Sequence, residues 1–470
     1  MDSVFLKTIK ALFWKGGERA ANKLIRLAVQ VLLARLLLPE DFGIIAIVLV
    51  FITLSDVFVL GGLNSALIQK DNITKVDYST VFWLSTLLAA LFFLLLWVSS
   101  PFIATLYSEE QLIDLLRFVA LQFFPLAFNS VQIAKISREL NFRPIFISAI
   151  ISEVFAGVVA VYLALNGFGV WALAVQQVLA ACLNCIVASS MIRWFPSFSF
   201  SAASAKALLS FGWRNAAIGL WGTLASGFYN LAIGKVYSHA DLGYYTQGQR
   251  YPTAVSDMIT GTLSSVLLSS FSMVKHDVLG RKKLLCQAMR LFTLLIVPLL
   301  LFCFVFADEI VVALLSDKWS ACIPIFQLFC LGLVLKSLSL IQRQALLAIG
   351  LAKECLRAAT IMQGSRVLLL LLIMLFWHCD VVWVAAIWNF ATVIEQVMLS
   401  RLSVKFLFIN FAEQLKSIMP SFLIFFFAFI LSSLANLFFG SEFIAMLIYI
   451  IAIVSFYFVL YKLLRRKQNG

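Results

Sequence analysis

Long apolar runs constrain this chain more than any other feature. Between Lys10 and Lys462 the sequence contains fourteen runs of roughly 20 residues, the length that an α-helix needs to cross a bilayer. The approximate runs are 11–38, 42–68, 78–99, 111–134, 144–165, 169–192, 208–235, 241–270, 286–306, 321–348, 356–377, 381–400, 417–438 and 442–461. A chain that is 62% hydrophobic and 13% charged cannot bury this much apolar surface in water. The sequence therefore predicts an all-α membrane protein with 14 transmembrane helices and excludes soluble enzymes, disulfide scaffolds and disordered chains.

Charges in the loops give these runs an orientation. One set of alternating loops carries 23 Lys and Arg residues, whereas the opposite set carries only Lys318 together with eleven Asp and Glu residues. Because cytoplasmic loops of membrane proteins are enriched in Lys and Arg, we expect both termini on the cytoplasmic side. The net charge of +13 then reflects topology, and we expect no nucleic-acid partner. We also expect no cleavable signal peptide, because the first apolar run contains several charges.

Three short segments recur along the chain. Asp-Phe-Gly at 41–43 returns as Asp-Leu-Gly at 241–243, and weaker similarities link 140–143 with 349–353 and 170–174 with 382–386. Each copy covers six helices, an even number, so the repeat is parallel rather than inverted. We therefore expect two six-helix bundles, residues 1–200 and 201–406, related by a pseudo-twofold axis around a central cavity. Residues 407–470 add two helices and a basic tail.

Charged residues inside the runs indicate what the cavity binds. Twelve cations but only five acids lie within the predicted spans. A charge at the bilayer centre costs roughly 2.5 to 3.5 kcal/mol, so the deeper ones should face water, an acid or a ligand. In the first span the spacings of 4, 4, 3 and 4 place five polar residues on one stripe of a helix: Lys15, Arg19, Lys23, Arg26 and Gln30. This surplus of positive charge predicts a site for an anion.

Later spans add further charges. In the eighth span Arg250 and Asp257 share one face, and Pro252 between them allows a kink. Asp56 in the second span is the near-counterpart of Asp257. Lys336 and Arg366 are further deep cations, and Arg343, Glu153 and Glu395 also lie within the predicted spans. The later cations could continue the positive surface or pair with the two glutamates, and the sequence leaves both interpretations open. Cys182 and Cys185 form a CxxC within an apolar run without a second pair, so we expect packing rather than a metal site.

A family resemblance is carried by three segments near the N-terminus. These are Leu-Ala-Arg at 33–35, Pro-Glu-Asp-Phe-Gly at 39–43 and Gly-Gly-Leu-Asn-Ser-Ala-Leu-Ile-Gln at 61–69. They resemble the start of Wzx-type polysaccharide flippases of the colanic-acid and teichuronic-acid exporter kind. That family belongs to the multidrug/oligosaccharidyl-lipid/polysaccharide superfamily, with the lipid II flippase and MATE exporters. The resemblance extends over essentially the whole chain.

The resemblance implies a function. Proteins of this kind move an undecaprenyl-diphosphate-linked oligosaccharide from the cytoplasmic to the periplasmic leaflet of the bacterial inner membrane by alternating access, for surface polysaccharide. Expected partners are that lipid-linked oligosaccharide, the bilayer, and polymerase and other polysaccharide-assembly proteins. The lipid II relatives use cavity arginines on the first and eighth helices, and Arg19, Arg26 and Arg250 match that placement in kind.

The charges and the resemblance together assign residues to roles. We expect substrate binding by Arg19, Lys23, Arg26, Gln30, Arg250, Lys336, Arg343 and Arg366. We expect coupling or gating by Asp56, Glu153, Pro252 and Asp257, with H⁺ or Na⁺ as the candidate coupling ion and no cofactor.

Two other functions are weighed against a flippase. A MATE-like cation-coupled exporter of small molecules would share the fold, but its cavity should be acidic. A membrane glycan polymerase or glycosyltransferase should carry a substantial exported loop or paired carboxylates, and the acids here are scattered over short loops. We therefore expect a transporter rather than an enzyme.

Overall fold

A computed structural model describes residues 21–468 apart from 71–72, 140, 275 and 377–378. Every regular element in this part of the chain is helical, so the predicted all-α class is confirmed. Apolar runs of this length favour helices because a helix satisfies its own backbone hydrogen bonds where no water is present.

The helices of the first half are numbered here from the first described element. They are α1 (21–36), α2 (Pro39–Asp56), a π-helical segment (Val57–Gly61), α3 (Gly62–Gln69), α4 (Lys75–Tyr107), α5 (Gln111–Ala120), α6 (Phe123–Glu139), α7 (Arg143–Leu165), α8 (Val170–Ile192) and α9 (Ala202–Val236).

The later helices follow with short connections. They are α10 (His239–Met273), α11 (Val278–Val305), α12 (Ala307–Leu315), a 3₁₀ turn (Asp317–Cys322), α13 (Ile323–Ala348), α14 (Ala352–Phe376), α15 (Val382–Leu407), α16 (Phe411–Phe439) and α17 (Glu442–Gln468).

Ten segments of the described chain are long and apolar enough to cross a membrane. Each coincides with one predicted span. The first of the ten, Pro39–Val59, joins α2 to the π-helical segment, and the third, Gln111–Glu139, joins α5 to α6. The other four predicted spans coincide with α1, α9, α10 and α17, which are not among the ten. A multi-pass membrane protein is therefore confirmed, and the count of fourteen stays a prediction.

The chain divides into two compact units, Met1–Thr246 and Gln247–Gly470, called here the N-terminal and C-terminal units. Within the N-terminal unit α7 lies along α8, α4 packs on α5 and α6, and α9 packs on α2 and α3. Within the C-terminal unit α13 packs between α11 and α15, and α16 packs on α11 and α17. The domain divisions predicted at 200/201 and 406/407 stay predictions.

The aspartates of the 200-residue repeat cap two helices in the same way. The Asp41 carboxylate accepts a hydrogen bond from the Leu38 backbone N–H (2.9 Å) at the start of α2. The Asp241 carboxylate accepts one from the Ser238 backbone N–H (3.2 Å) and one from the Ser238 hydroxyl (2.7 Å) at the start of α10. A carboxylate in the first turn satisfies an otherwise unpaired donor and complements the helix dipole.

The glycines of the same repeat make a reciprocal contact. A Cβ added to Gly43 would collide with the carbonyl oxygen of His239, and a Cβ added to Gly243 would collide with the carbonyl oxygen of Pro39. The two contacts involve equivalent pairs, because 39 and 239 are 200 residues apart, as are 43 and 243. The starts of α2 and α10 therefore approach each other closely only because both positions lack a side chain.

The weaker repeats also fall at equivalent places. Val170 begins α8 and Val382 begins α15, while the segments 140–143 and 349–353 directly precede or begin α7 and α14. The sequence similarities therefore mark helix starts in both halves of the chain.

Candidate functional site

An ion pair joins α1 to α7 in the N-terminal unit. Arg26 donates a hydrogen bond from Nε to Oε1 of Glu153 at 2.6 Å, and its Nη2 atom lies 2.6 Å from the same oxygen in a salt bridge. The two partners differ in solvent exposure: the Glu153 side chain is 7% exposed, whereas the Arg26 side chain is 60% exposed. The carboxylate is thus enclosed by protein, and the guanidinium is open on the side that faces away from it.

The polar stripe of α1 continues beyond this pair. One turn further, the Gln30 side chain donates from Nε2 to Oε1 of Gln176 on α8, at 3.3 Å. Lys23 lies one turn before Arg26 and is half-buried. Residues 21–36 are helical, as the predicted stripe requires, and two of its members contact two different neighbouring helices.

A second ionic cluster lies within the C-terminal unit. Arg343 on α13 forms a salt bridge with Glu395 on α15, whose side chain is 3% exposed. Arg366 on α14 is buried and donates from Nη2 to the hydroxyl of Thr392 on α15, at 2.9 Å. Both of these cations, for which the sequence left pairing with a glutamate open, thus contact the same helix, α15.

The indole ring of Trp388 lies close to two cations of this cluster, Arg366 and Lys336. The guanidinium carbon of Arg366 is 4.9 Å from the ring centroid of Trp388, and the Lys336 ammonium is 5.9 Å from it. Such contacts stabilise a cation by about 0.5 to 2 kcal/mol, depending on how far it is desolvated. Gly332 on α13 makes room for the ring, because an added Cβ there would collide with Trp388 and Asn389.

Amides and hydroxyls extend the cluster along α13 and α15. Gln342 donates to the hydroxyl of Ser400 (3.2 Å) and to the side-chain oxygen of Gln414 (3.0 Å). The Ser339 hydroxyl donates to the Gln396 side chain at 2.7 Å. The Gln342 side-chain nitrogen is thus bonded twice, whereas its Oε1 is enclosed without a hydrogen-bond donor from the described chain. These uncharged groups lie directly beside Arg343 and Glu395 in the sequence.

Other predicted site residues lie on different elements. Arg19 lies outside the described residues. Asp56 ends α2, immediately before the π-helical segment, and its Oδ1 is enclosed without a hydrogen-bond donor from the described chain. Arg250, Pro252 and Asp257 all lie on α10, which continues through the proline.

Sequence reasoning missed several residues of these contacts. Trp388 and Thr392 were not singled out, although Trp388, Thr392 and Glu395 follow spacings of 4 and 3 on α15 and therefore share one face. That spacing was a usable signal. Gln176 carried no comparable signal, because its partner Gln30 lies 146 residues away.

In both clusters an arginine pairs with a carboxylate of the protein itself. Among the residues that the structure describes, no group of three or more His, Cys, Asp and Glu side chains could hold a metal ion. The paired arginines instead present planar donors suited to carboxylate or phosphate oxygens.

Comparison with known proteins gives a consistent family. Residues 32–324 match the model of a family described as polysaccharide biosynthesis protein. The chain is 28% identical over 304 residues to the succinoglycan biosynthesis transport protein ExoT of Rhizobium meliloti, which is 64% of this chain and 61% of that protein. It is also 28% identical over 297 residues to the teichuronic acid biosynthesis protein TuaB of Bacillus subtilis, 62% of this chain and 61% of that protein. The chain thus spans about three fifths of the length of these curated relatives.

Solved structures show the fold. A structure of the lipid II flippase MurJ in an inward closed conformation matches with a TM-score of 0.76 and 17% identity, over 97% of this chain and 100% of that one. An inward-facing MATE family multidrug resistance transporter of the MOP superfamily matches with a TM-score of 0.64 and 16% identity, over 82% of this chain and 95% of that one.

Proposed function

The chain belongs to the polysaccharide biosynthesis protein family, as its resemblance predicted, and from that premise we propose that it is a flippase for lipid-linked oligosaccharides. It moves an undecaprenyl-diphosphate-linked repeat unit from the cytoplasmic to the outer leaflet of the bacterial inner membrane, by alternating access, for surface polysaccharide. Relatives named for succinoglycan transport and for teichuronic acid biosynthesis support this proposal, as does the fold that the chain shares with a lipid II flippase.

The placement of Arg26 is the observation that carries the proposal. Arg26 lies in the middle of the predicted first span, yet 60% of its side chain is not covered by protein. An uncovered guanidinium in hydrocarbon would cost roughly 2.5 to 3.5 kcal/mol even on the lenient insertion scale. This side of α1 therefore faces water and polar groups, and the positive charge there suits the diphosphate of a lipid-linked sugar.

The polar and apolar parts of the proposed substrate should occupy different environments. The diphosphate and sugars enter the wet, basic region, and the polyprenyl chain stays in the bilayer, where burial of its hydrocarbon is favourable. No covalent bond needs to form or break in this transfer. Asp56 and Asp257 are the candidates for binding the coupling ion, because each places a carboxylate within a predicted span.

Transport of a fluorescent undecaprenyl-diphosphate-linked oligosaccharide in vesicles tests the proposal. Purified protein should transfer the probe between leaflets without changing its covalent structure. Arg26→Ala and Arg250→Ala should each abolish transfer, and in cells each should abolish surface polysaccharide while the protein remains in the membrane. Arg357→Ala is the matched control, because that side chain is 71% exposed at the start of α14. Wild-type transfer in both Ala variants would remove the site assignment.

The same vesicles separate the other candidate functions. A polymerase or glycosyltransferase would lengthen or modify the sugar, which mass spectrometry of the recovered lipid detects. A MATE-like exporter would move small organic cations instead and leave the lipid-linked probe in its original leaflet. Reporter fusions at both ends of the chain, active only in the cytoplasm, test the predicted orientation.

A further inference from the structure

The Arg26–Glu153 pair uses only part of what each group offers. Both guanidinium donors, Nε and Nη2, converge on a single carboxylate oxygen, Oε1. The strongest arrangement of these groups is a fork in which two nitrogens meet two oxygens. Glu153 therefore holds the arginine by a one-oxygen contact that an anion with two suitably spaced oxygens can improve upon.

The two partners differ in their freedom to leave the contact. Glu153 is enclosed on α7, with 7% of its side chain exposed, and it has little space to follow a displaced partner. Arg26 has 60% of its side chain exposed on a long, flexible stem and can turn toward a ligand on its open side. Exchange of the anion on Arg26 thus needs movement of the arginine alone.

The backbone around the pair is held by other contacts. Val29 on α1 packs on Gly157 of α7, where an added Cβ would lie 2.5 Å from the Val29 Cγ2 atom. The Gln30–Gln176 contact ties the next turn of α1 to α8. Because apolar packing and an amide contact flank the pair, α1 stays on α7 and α8 when Arg26 releases Glu153.

We propose that Glu153 is a resident anion that the phosphate groups of the incoming substrate displace from Arg26. The proposal rests on the proposed function, since it concerns how the lipid-linked diphosphate is received. Glu153 orients Arg26 while the site is empty, competes with the diphosphate for the guanidinium, and takes the arginine back when the head group leaves. The carboxylate weakens substrate binding and speeds release, as turnover in a transporter requires.

Binding of inorganic diphosphate tests the exchange without any transport step. The measurement is the diphosphate concentration that gives half of the maximal rise in the thermal unfolding temperature of the purified full-length protein. Glu153→Gln removes the competing charge and keeps the shape of the side chain, so this concentration should fall by about tenfold, the change expected when one charge-assisted competitor of a hydrogen-bonded site is removed. Glu153→Asp keeps a carboxylate and should stay nearer the wild type.

Two further variants identify the route of the effect. In the double variant Arg26→Ala/Glu153→Gln the gain in diphosphate affinity should vanish, because the competition occurs on Arg26. Glu413→Gln is the matched control, since it breaks a 2.7 Å ion pair with Lys282 in the C-terminal unit and should leave diphosphate affinity unchanged. In the vesicle assay Glu153→Gln should lower both the KM for the fluorescent lipid-linked oligosaccharide and the turnover number.

Clear outcomes would overturn the exchange. An unchanged or weaker diphosphate affinity in Glu153→Gln contradicts it, and so does a gain that persists in the double variant. If Glu153→Gln does not fold, Glu153→Asp decides: its shorter carboxylate should bind Arg26 less well and raise diphosphate affinity by a smaller factor, and an unchanged or lower affinity rejects the idea. A wild-type protein that binds diphosphate but moves no lipid-linked probe would reject the proposed function and leave the exchange supported.

Discussion

The two ionic clusters differ in how the protein covers their cations. In the N-terminal unit Glu153 is enclosed but Arg26 is 60% exposed. In the C-terminal unit Glu395 is equally enclosed, whereas its partner Arg343 is only 33% exposed and the neighbouring Arg366 is buried against Trp388. Similar charges on similar helices thus occupy one open site and one closed site.

The solvent exposure of the cations determines whether a cluster contributes mainly to stability or mainly to ligand binding. Breaking an enclosed ion pair leaves a desolvated charge and is strongly destabilising, whereas an open guanidinium regains water when its partner is removed. The closed cluster should therefore contribute mainly to the stability of α13, α14 and α15, and the open pair mainly to ligand exchange. Variants in the two clusters test this contrast.

The largest loss of stability should follow Glu395→Gln. This substitution leaves Arg343 without its carboxylate in an enclosed setting, and the free energy of unfolding should fall by about 3 kcal/mol. Denaturant titration of the purified protein in detergent measures this change. Glu413→Gln, which breaks the more exposed pair with Lys282, should leave the unfolding transition almost unmoved. Equal losses in the two variants would contradict the contrast.

A smaller loss should follow Arg366→Ala. The variant lacks the hydrogen bond to Thr392 and the cation–π contact with Trp388, which together stabilise the fold by about 2 kcal/mol. The same titration measures it, with Arg357→Ala on the same helix as control. Arg357 is 71% exposed and 3.8 Å from Glu354, so its removal should cost about 0.3 kcal/mol. An Arg366→Ala variant as stable as the wild-type protein would show that the contacts with Thr392 and Trp388 do not stabilise the fold.

The smallest loss should follow Glu153→Gln. Because Arg26 is already open to solvent, the free energy of unfolding should fall by at most about 1 kcal/mol, although the affinity for diphosphate changes. If the free energy of unfolding fell as much in Glu153→Gln as in Glu395→Gln, the two ion pairs would contribute equally to stability, and the contrast between them would be wrong.

Local patterns predicted the helices and the repeats, but not the partners of the buried charges. Spacing along α1 correctly placed Arg26 and Gln30 on one stripe, because that relation depends only on helix geometry. The contact with Glu153 lies 127 residues away in sequence and depends on how α1 and α7 pack. The sequence left open whether the later cations pair with glutamates, and the structure pairs Arg343 with Glu395 but places Arg366 against a threonine and an indole.

The repeat shows the opposite relation between sequence and packing. Its offset of 200 residues was readable from Asp-Phe-Gly and Asp-Leu-Gly alone. The structural roles of these residues became visible only in the structure. The aspartates cap α2 and α10, and each glycine leaves space for a backbone carbonyl of the other segment.

These reciprocal contacts make the residue allowed at position 43 depend on the backbone near position 239, and the residue allowed at 243 depend on the backbone near 39. Gly43 leaves the space filled by the His239 carbonyl, and Gly243 leaves the space filled by the Pro39 carbonyl. Neither copy of the duplicated segment can acquire a side chain at this point unless the backbone of the other copy withdraws. At this point each copy of the segment therefore limits the size of the residue that the other can carry.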